Sequence, residues 1–245
     1  MMEMVPTPGR KTLVSLNSLT LSFSPDIFIL KVNTGPSSTD TALRMEENPI
    51  DDMCDEVPVL HVHRGFMRAL LGRRRKIISF LRKYKEENPR TRHYKLCVTG
   101  HSLGGSLATL FAYFLAQEED MTANQPVILY TFAAPAVGDS DFGKVFHRLE
   151  EDGKIRHARV FNSNDPIPHS FALTQYNHVG MGIELNMERG GISKNNSSFT
   201  KVLGALLKKS FSEHGLDRSF EYMGMHSPAL EEMSLEELYR ERQAS

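Results

Sequence analysis

The stretch Lys95–Leu107, KLCVTGHSLGGSL, decides how this chain is read. Leu96, Cys97, Val98 and Thr99 form an apolar run of strand character that flows into Gly100-His101-Ser102-Leu103-Gly104. The small residues Gly105, Ser106 and Ala108 then open a helical pattern in which Leu107, Leu110, Phe111, Phe114 and Leu115 share one stripe. A serine at the tip of a strand-to-helix turn takes a strained backbone angle, and glycines two residues to either side let the strand and helix approach it. The helix that begins there leaves backbone N–H groups without intrahelical acceptors, and that of Leu103 is placed to donate to an oxyanion. A bare Gly-x-Ser-x-Gly arises by chance in roughly one chain of this length in twelve. The strand before it, the helix after it and the further Gly105 therefore carry the assignment of a nucleophile elbow, with Ser102 as the nucleophile.

A chain of 245 residues with 40% apolar and 24% charged side chains is expected to build one domain over residues 1–245. Its net charge of −1 is a balance of mixed signs, which argues against nucleic acid as a partner. The compact basic run Arg73, Arg74, Arg75 and Lys76 lies among Leu70, Ile77, Leu81 and Tyr84 at helical spacing. It reads as the solvated part of that helix in preference to a localisation signal or an anionic-lipid contact. The opening residues MMEMVPTPGRK lack an apolar core behind a basic start, and no stretch approaches 18 apolar residues. Of the two cysteines, Cys97 reads as a buried thiol within the elbow strand and Cys54 lies in an acidic loop. A disulfide between them is not expected. These features make the cytoplasm the expected compartment.

Outward from the elbow the pattern alternates strands and helices. Residues 1–11 read as a loose end, Leu19, Leu21 and Phe23 as a half-buried strand, and Ile27 to Val32 as a strand buried on both faces. Residues 34–58 are polar and strongly acidic, with Asp40, Glu46, Glu47, Asp51, Asp52, Asp55 and Glu56. They are expected to form a loop or lid. A helix from Phe66 to Glu87 precedes the elbow. After the elbow helix come a strand over Pro126–Phe132, a helix over Ser140–Glu151 and a strand over His157–Phe161. This spacing implies parallel neighbours in a central sheet. The remainder reads as a strand over Gly180–Leu185, a loop at 189–198, a helix over Lys201–Phe211 and a last helix from Ser234.

A serine hydroxyl needs a base to take its proton, and the base needs an acid to fix its tautomer. In a parallel sheet these partners belong in loops beyond the C-terminal ends of later strands. Asp165 meets that rule, in a Pro-flanked turn after the strand ending at Phe161. Ten histidines are present, and the chain order Ser, Asp, His leaves His169, His178, His214 and His226. His169 is too near Asp165 to be placed freely, and His178 enters a strand. His226, in a loop with ample chain to return to the elbow, is preferred to His214.

The motifs GHSLGG (100–105), TFAAPAVGDSDF (131–142), NDPIPH (164–169) and YNHVG (176–180), with VHRGF at 62–66, together resemble the class 3, or fungal-type, lipases. The resemblance covers about residues 60–185. It implies an α/β-hydrolase fold, with a mostly parallel sheet covered by helices on both faces and a front shorter than the family's. It also implies Ser102 as nucleophile, Asp165 as acid, a structural role for His178, and His226 as the matching base. The family's Arg-Gly-Thr segment, whose Thr completes the oxyanion hole, is replaced here by Val32-Asn33-Thr34-Gly35, so Thr34 is the nearest counterpart beside Leu103. Ala133 and Ala136 stand where the family often has Gly and Arg.

The expected function is that of a serine esterase acting on glycerides or phospholipids, with no cofactor and no metal. Its partners would be acyl ester lipids, met at a membrane or lipid-droplet surface. The alternative class is a non-catalytic protein of the same fold that binds lipid or a partner. By the family's pattern residues 34–58 form the lid, and their acidity predicts no sharp rise in activity at an interface and weaker action on anionic than on zwitterionic vesicles.

Overall fold

The computed structural model describes residues 12–16, 19–24, 27–32, 45–47, 60–89, 95–170, 175–186, 191–193, 214–225 and 234–244. The expected loose end at 1–11, the helix at 201–211 and all of 34–58 except 45–47 lie outside these residues.

The central helix follows directly from its composition. Leu103–Ala116 is apolar around most of its circumference, and a helix with no polar face must be enclosed. It lies against strand Lys95–His101, which delivers the chain to its N-terminus, and against strand Val127–Phe132. The described strands are numbered β1 (Thr12–Leu16), β2 (Leu19–Ser24), β3 (Ile27–Val32), β4 (Met45–Glu47), β5 (His61–His63), β6 (Lys95–His101), β7 (Val127–Phe132), β8 (Ile155–Asn162), β9 (Met181–Asn186) and β10 (Gly191–Ser193). The described helices are α1 (Arg64–Glu87), α2 (Leu103–Ala116), α3 (Glu119–Thr122), α4 (Ser140–Glu151), α5 (Leu216–Met225) and α6 (Leu235–Ala244).

The main sheet runs β1-β2-β3-β6-β7-β8-β9-β10. Strands β3, β6, β7, β8 and β9 are parallel neighbours, as the strand-helix-strand spacing predicts, while β1, β2 and β10 pair antiparallel at the two ends. Two strands fall where the sequence reads as loop. Met45–Glu47 pairs antiparallel with β5 inside the acidic stretch, and Gly191–Ser193 extends the sheet edge beside β9. Three-residue strands carry too little periodicity to be legible before pairing supplies their hydrogen bonds.

The sheet is covered on both faces. On one, Val98, Leu129 and Ile155 pack against Leu110, Phe111 and Leu115 of α2, Phe142 and Phe146 of α4, and Leu70, Ile77 and Leu81 of α1. On the other, Ala158, Val160, Met181, Ile183 and Leu185 pack with Met223 of α5 and Leu235 of α6. The alternation along β8, with Ile155 on one face and Ala158 and Val160 on the other, is the period-2 rule of a strand enclosed on both sides. Helix α1 starts two residues earlier than its apolar stripe suggests, because the His63 ring accepts from Phe66 N–H as a cap. It ends as expected at Asn88, whose side-chain amide donates to the Tyr84 carbonyl at 2.9 Å. Asp139 caps α4 through the N–H groups of Asp141 and Phe142, so the loop after β7 turns sharply into that helix. Tyr239 fastens α6 to the sheet, since its hydroxyl donates to Glu150 and accepts from the His157 N–H at 2.8 Å.

Candidate active site

Ser102 sits between β6 and α2 with φ 54° and ψ −129°, a conformation that costs on the order of 1–3 kcal/mol for a residue with a side chain. The strain is imposed by its neighbours. Its N–H is held by the Phe132 carbonyl of β7 at 2.8 Å, and its own carbonyl already accepts the first helical bonds from Gly105 and Ser106. The close approach rests on Gly100 and Gly105. A Cβ at Gly100 would lie 2.2 Å from the Gly104 carbonyl oxygen, and one at Gly105 would lie 2.6 Å from the Ala134 Cβ. The steric requirement thus includes the glycine that follows the five-residue motif.

Asp165 is fully buried in the turn after β8. Its carboxylate accepts the Ile167 N–H at 2.9 Å, and its own N–H donates to the Asn162 carbonyl. A carboxylate fixed by its own turn presents its remaining lone pairs in one direction. They meet His214. The His214 Nδ1–H donates to Asp165 Oδ2 at 2.9 Å, and Nε2 lies 2.8 Å from Ser102 Oγ, placed to accept its proton. Asp165 Oδ1, at 3.2 Å, shares the Nδ1–H. These bonds select the tautomer protonated on Nδ1, with Nε2 as the acceptor.

The structure thus places His214, the histidine set second to His226 in the sequence reading, against both Ser102 and Asp165. The position between Ser102 and Asp165 is filled by His214, and one imidazole fills it; His226 lies outside the described residues. Chain order admits both histidines, and loop length does not distinguish them. The other two candidates have structural partners. The His178 Nε2–H donates to the Pro168 carbonyl at 2.6 Å, and its pKa is held well below the usual histidine range, chiefly by burial and next by the Arg159 charge. His169 is buried with its ring edge-on to Phe161, and burial likewise lowers its pKa. The His178 bond ties Pro168, in the turn that carries Asp165, to the segment that enters β9.

A further residue completes the arrangement. The His101 Nε2–H donates to the backbone carbonyl of His214 at 2.9 Å, and the two ring centroids are 4.9 Å apart. Its place beside Ser102 is plain in the sequence, but its partner lies 113 residues away. Periodicity carries no signal of such a contact.

Of the expected oxyanion donors, Leu103 opens α2, where the intrahelical bonds to Ser102 begin only at Gly105. Thr34 lies outside the described residues. Strand β3, which leads to it, ends with Val32 in register with Gly100, beside the elbow. Cys97 is a free thiol in β6, with its pKa pushed up to about 11 by burial, so it is no nucleophile at neutral pH. Among the described residues no group of three or more His, Cys, Asp or Glu could hold a metal ion.

The family model described as Lipase (class 3) matches residues 31–175, more than half of the chain. A phospholipase A1-IIgamma of Arabidopsis thaliana is 39% identical over 118 residues, covering 43% of this chain and 25% of the relative. A lipase of Rhizomucor miehei is 33% identical over 108 residues, covering 44% of this chain and 28% of the relative. The chain thus spans about a quarter of the length of these curated relatives. The solved Rhizomucor miehei lipase propeptide complex superposes with a TM-score of 0.65 at 21% identity, over 83% of this chain and 66% of that one. This is a likeness of fold. With the elbow, the mostly parallel sheet and the family match on one stretch of sequence, the chain belongs to the class 3 lipase family.

Proposed function

We propose that the protein is a serine esterase that hydrolyses acyl ester bonds of glycerides or phospholipids through an acyl-enzyme. The observation that carries this reading is the continuous hydrogen-bond line from Ser102 Oγ through His214 to buried Asp165, at 2.8 and 2.9 Å, on a strained elbow. As Oγ attacks the ester carbonyl carbon, His214 Nε2 takes its proton, and the carboxylate of Asp165 stabilises the imidazolium. The carbonyl oxygen becomes an oxyanion, held by Leu103 N–H and a donor at Thr34. His214 returns the proton to the leaving alcohol, leaving an acyl group on Ser102. A water activated by the same Nε2 then attacks the acyl carbon, and Ser102 is regenerated.

The lipid character of the substrate rests on family membership and on the named relatives, a phospholipase A1 and a lipase. The test is labelling by a fluorophosphonate combined with a chain-length series of p-nitrophenyl esters. Wild type should label and turn over, whereas Ser102→Ala and His214→Ala should do neither. A wild-type chain that folds but resists both probes would establish the non-catalytic alternative instead.

A further inference from the structure

Helix α1 carries two kinds of cation. Toward its C-terminal end each has a partner: Arg82 bridges Glu118 and Asp120 of the α3 segment, Lys83 lies 3.7 Å from Glu87, and Lys85 donates to the Asp120 backbone carbonyl at 2.9 Å. Toward its N-terminal end Arg73 donates to the Ala69 carbonyl at 3.0 Å, and the Arg74 guanidinium lies over the Phe114 ring, 3.9 Å from its centroid. Arg68, Arg75 and Lys76 differ from all of these. They are exposed and enter no ion pair among the described residues.

At about 100° per residue, Arg68, Leu71 and Arg75 project from one side of the helix with Lys76 on its flank, opposite buried Leu70, Ile77 and Leu81. Leu71, 40% exposed, is the one large apolar side chain exposed among the described residues. From Val57 to Lys85 the sequence holds no Asp or Glu. A face that serves only solubility alternates its charges, as Lys144 with Asp141 on α4 and Arg218 with Glu221 on α5 do here. Segregated cations repel one another, and a polyanionic partner relieves that repulsion.

We propose that the Arg68, Leu71, Arg75 and Lys76 face of α1 docks the protein on the surface of an anionic phospholipid bilayer. The cations lie over the head groups, and Leu71 enters the boundary between head groups and acyl chains. A nucleic acid would satisfy the charges but offers Leu71 nothing, and the net charge of −1 supplies no broad attraction to a phosphate backbone. The acids of residues 34–58 oppose an anionic surface, and the proposal is that the α1 face outweighs them in the full chain, against the weaker action on anionic vesicles that those acids by themselves lead one to expect. The proposal rests on the esterase reading only for its biological sense, because docking does not use Ser102, His214 or Asp165.

The experiment is sedimentation of the full chain, as Ser102→Ala to prevent lipid hydrolysis, with phosphatidylcholine vesicles that contain or lack phosphatidylserine. Binding should favour the phosphatidylserine vesicles and weaken with added salt. At about fivefold per cation, the combined change Arg68→Gln, Arg75→Gln and Lys76→Gln should weaken it roughly a hundredfold. Leu71→Ser should weaken it severalfold on both kinds of vesicle. In the Ser102 background the triple variant should hydrolyse a soluble p-nitrophenyl ester at the wild-type rate, which confirms its fold. Equal binding to both vesicles, binding unchanged in the triple variant, or capture by heparin with none by phosphatidylserine vesicles would each overturn the proposal. Vesicle binding without turnover by wild type would instead sink the esterase reading and leave this one standing.

Discussion

The elbow at residues 100–105 and the histidine at position 214 meet within 2.8 Å, yet they are held in opposite ways. The elbow is positioned by its own chain: strand, glycines and helix leave Ser102 one conformation, and the Phe132 carbonyl locks it. His214 stands two residues before α5, and contacts from distant parts of the chain hold it: Asp165 and Ser102 on the ring, His101 on its carbonyl. The difference teaches that a strained serine can be built locally, whereas the histidine beside it is placed by tertiary hydrogen bonds.

The largest expected effects test the line that joins the two regions. Ser102→Ala and His214→Ala should each lower kcat by up to about 10⁶-fold, with the double variant no worse, because members of such a unit do not contribute additively. Asp165→Asn should cost about 10⁴-fold by favouring the wrong tautomer. His226→Ala should stay near wild type. Death of His226→Ala with survival of His214→Ala would reverse the assignment.

The local half is broken by sterics. Gly100→Ala forces a Cβ to 2.2 Å from the Gly104 carbonyl oxygen, and backbone cannot yield as a side chain can. A loss above about 4 kcal/mol is expected, seen as insoluble protein or a collapsed melting temperature. A well-folded, active Gly100→Ala protein would refute the local account.

The tertiary half is probed by His101. His101→Leu removes the donor to the His214 carbonyl and should lower kcat by about ten- to a hundredfold, the range for a misplaced catalytic group, with KM little changed. His101→Gln can still donate and should recover most of the loss. Equal damage in both variants, or a change confined to KM, would remove His101 from the positioning of His214.

The smallest effect serves as the control on glycine. A methyl group added at Gly72, exposed within α1, would meet no atom within 4 Å, so Gly72→Ala should raise stability by up to about 1 kcal/mol through helix propensity. A destabilised Gly72→Ala protein would mean that glycines here are constrained by more than their contacts.

Much of this was legible in the chain itself. The elbow, the parallel pairing of the strands around it, the spans of α2 and α4, the C-terminal end of α1, and the turn bearing Asp165 follow from period-2 and period-3.6 patterns and from turn residues, all of which act over a few positions. Tertiary structure alone decided that His214 lies between Ser102 and Asp165 and that His101 grips its carbonyl. It also decided that Arg82 has two anionic partners while Arg68, Arg75 and Lys76 have none among the described residues. The reason is the range of the forces involved. Sterics and hydrophobic periodicity are written into neighbouring residues, whereas a hydrogen bond across 112 residues depends on where the intervening chain leaves its ends, and no local pattern records that.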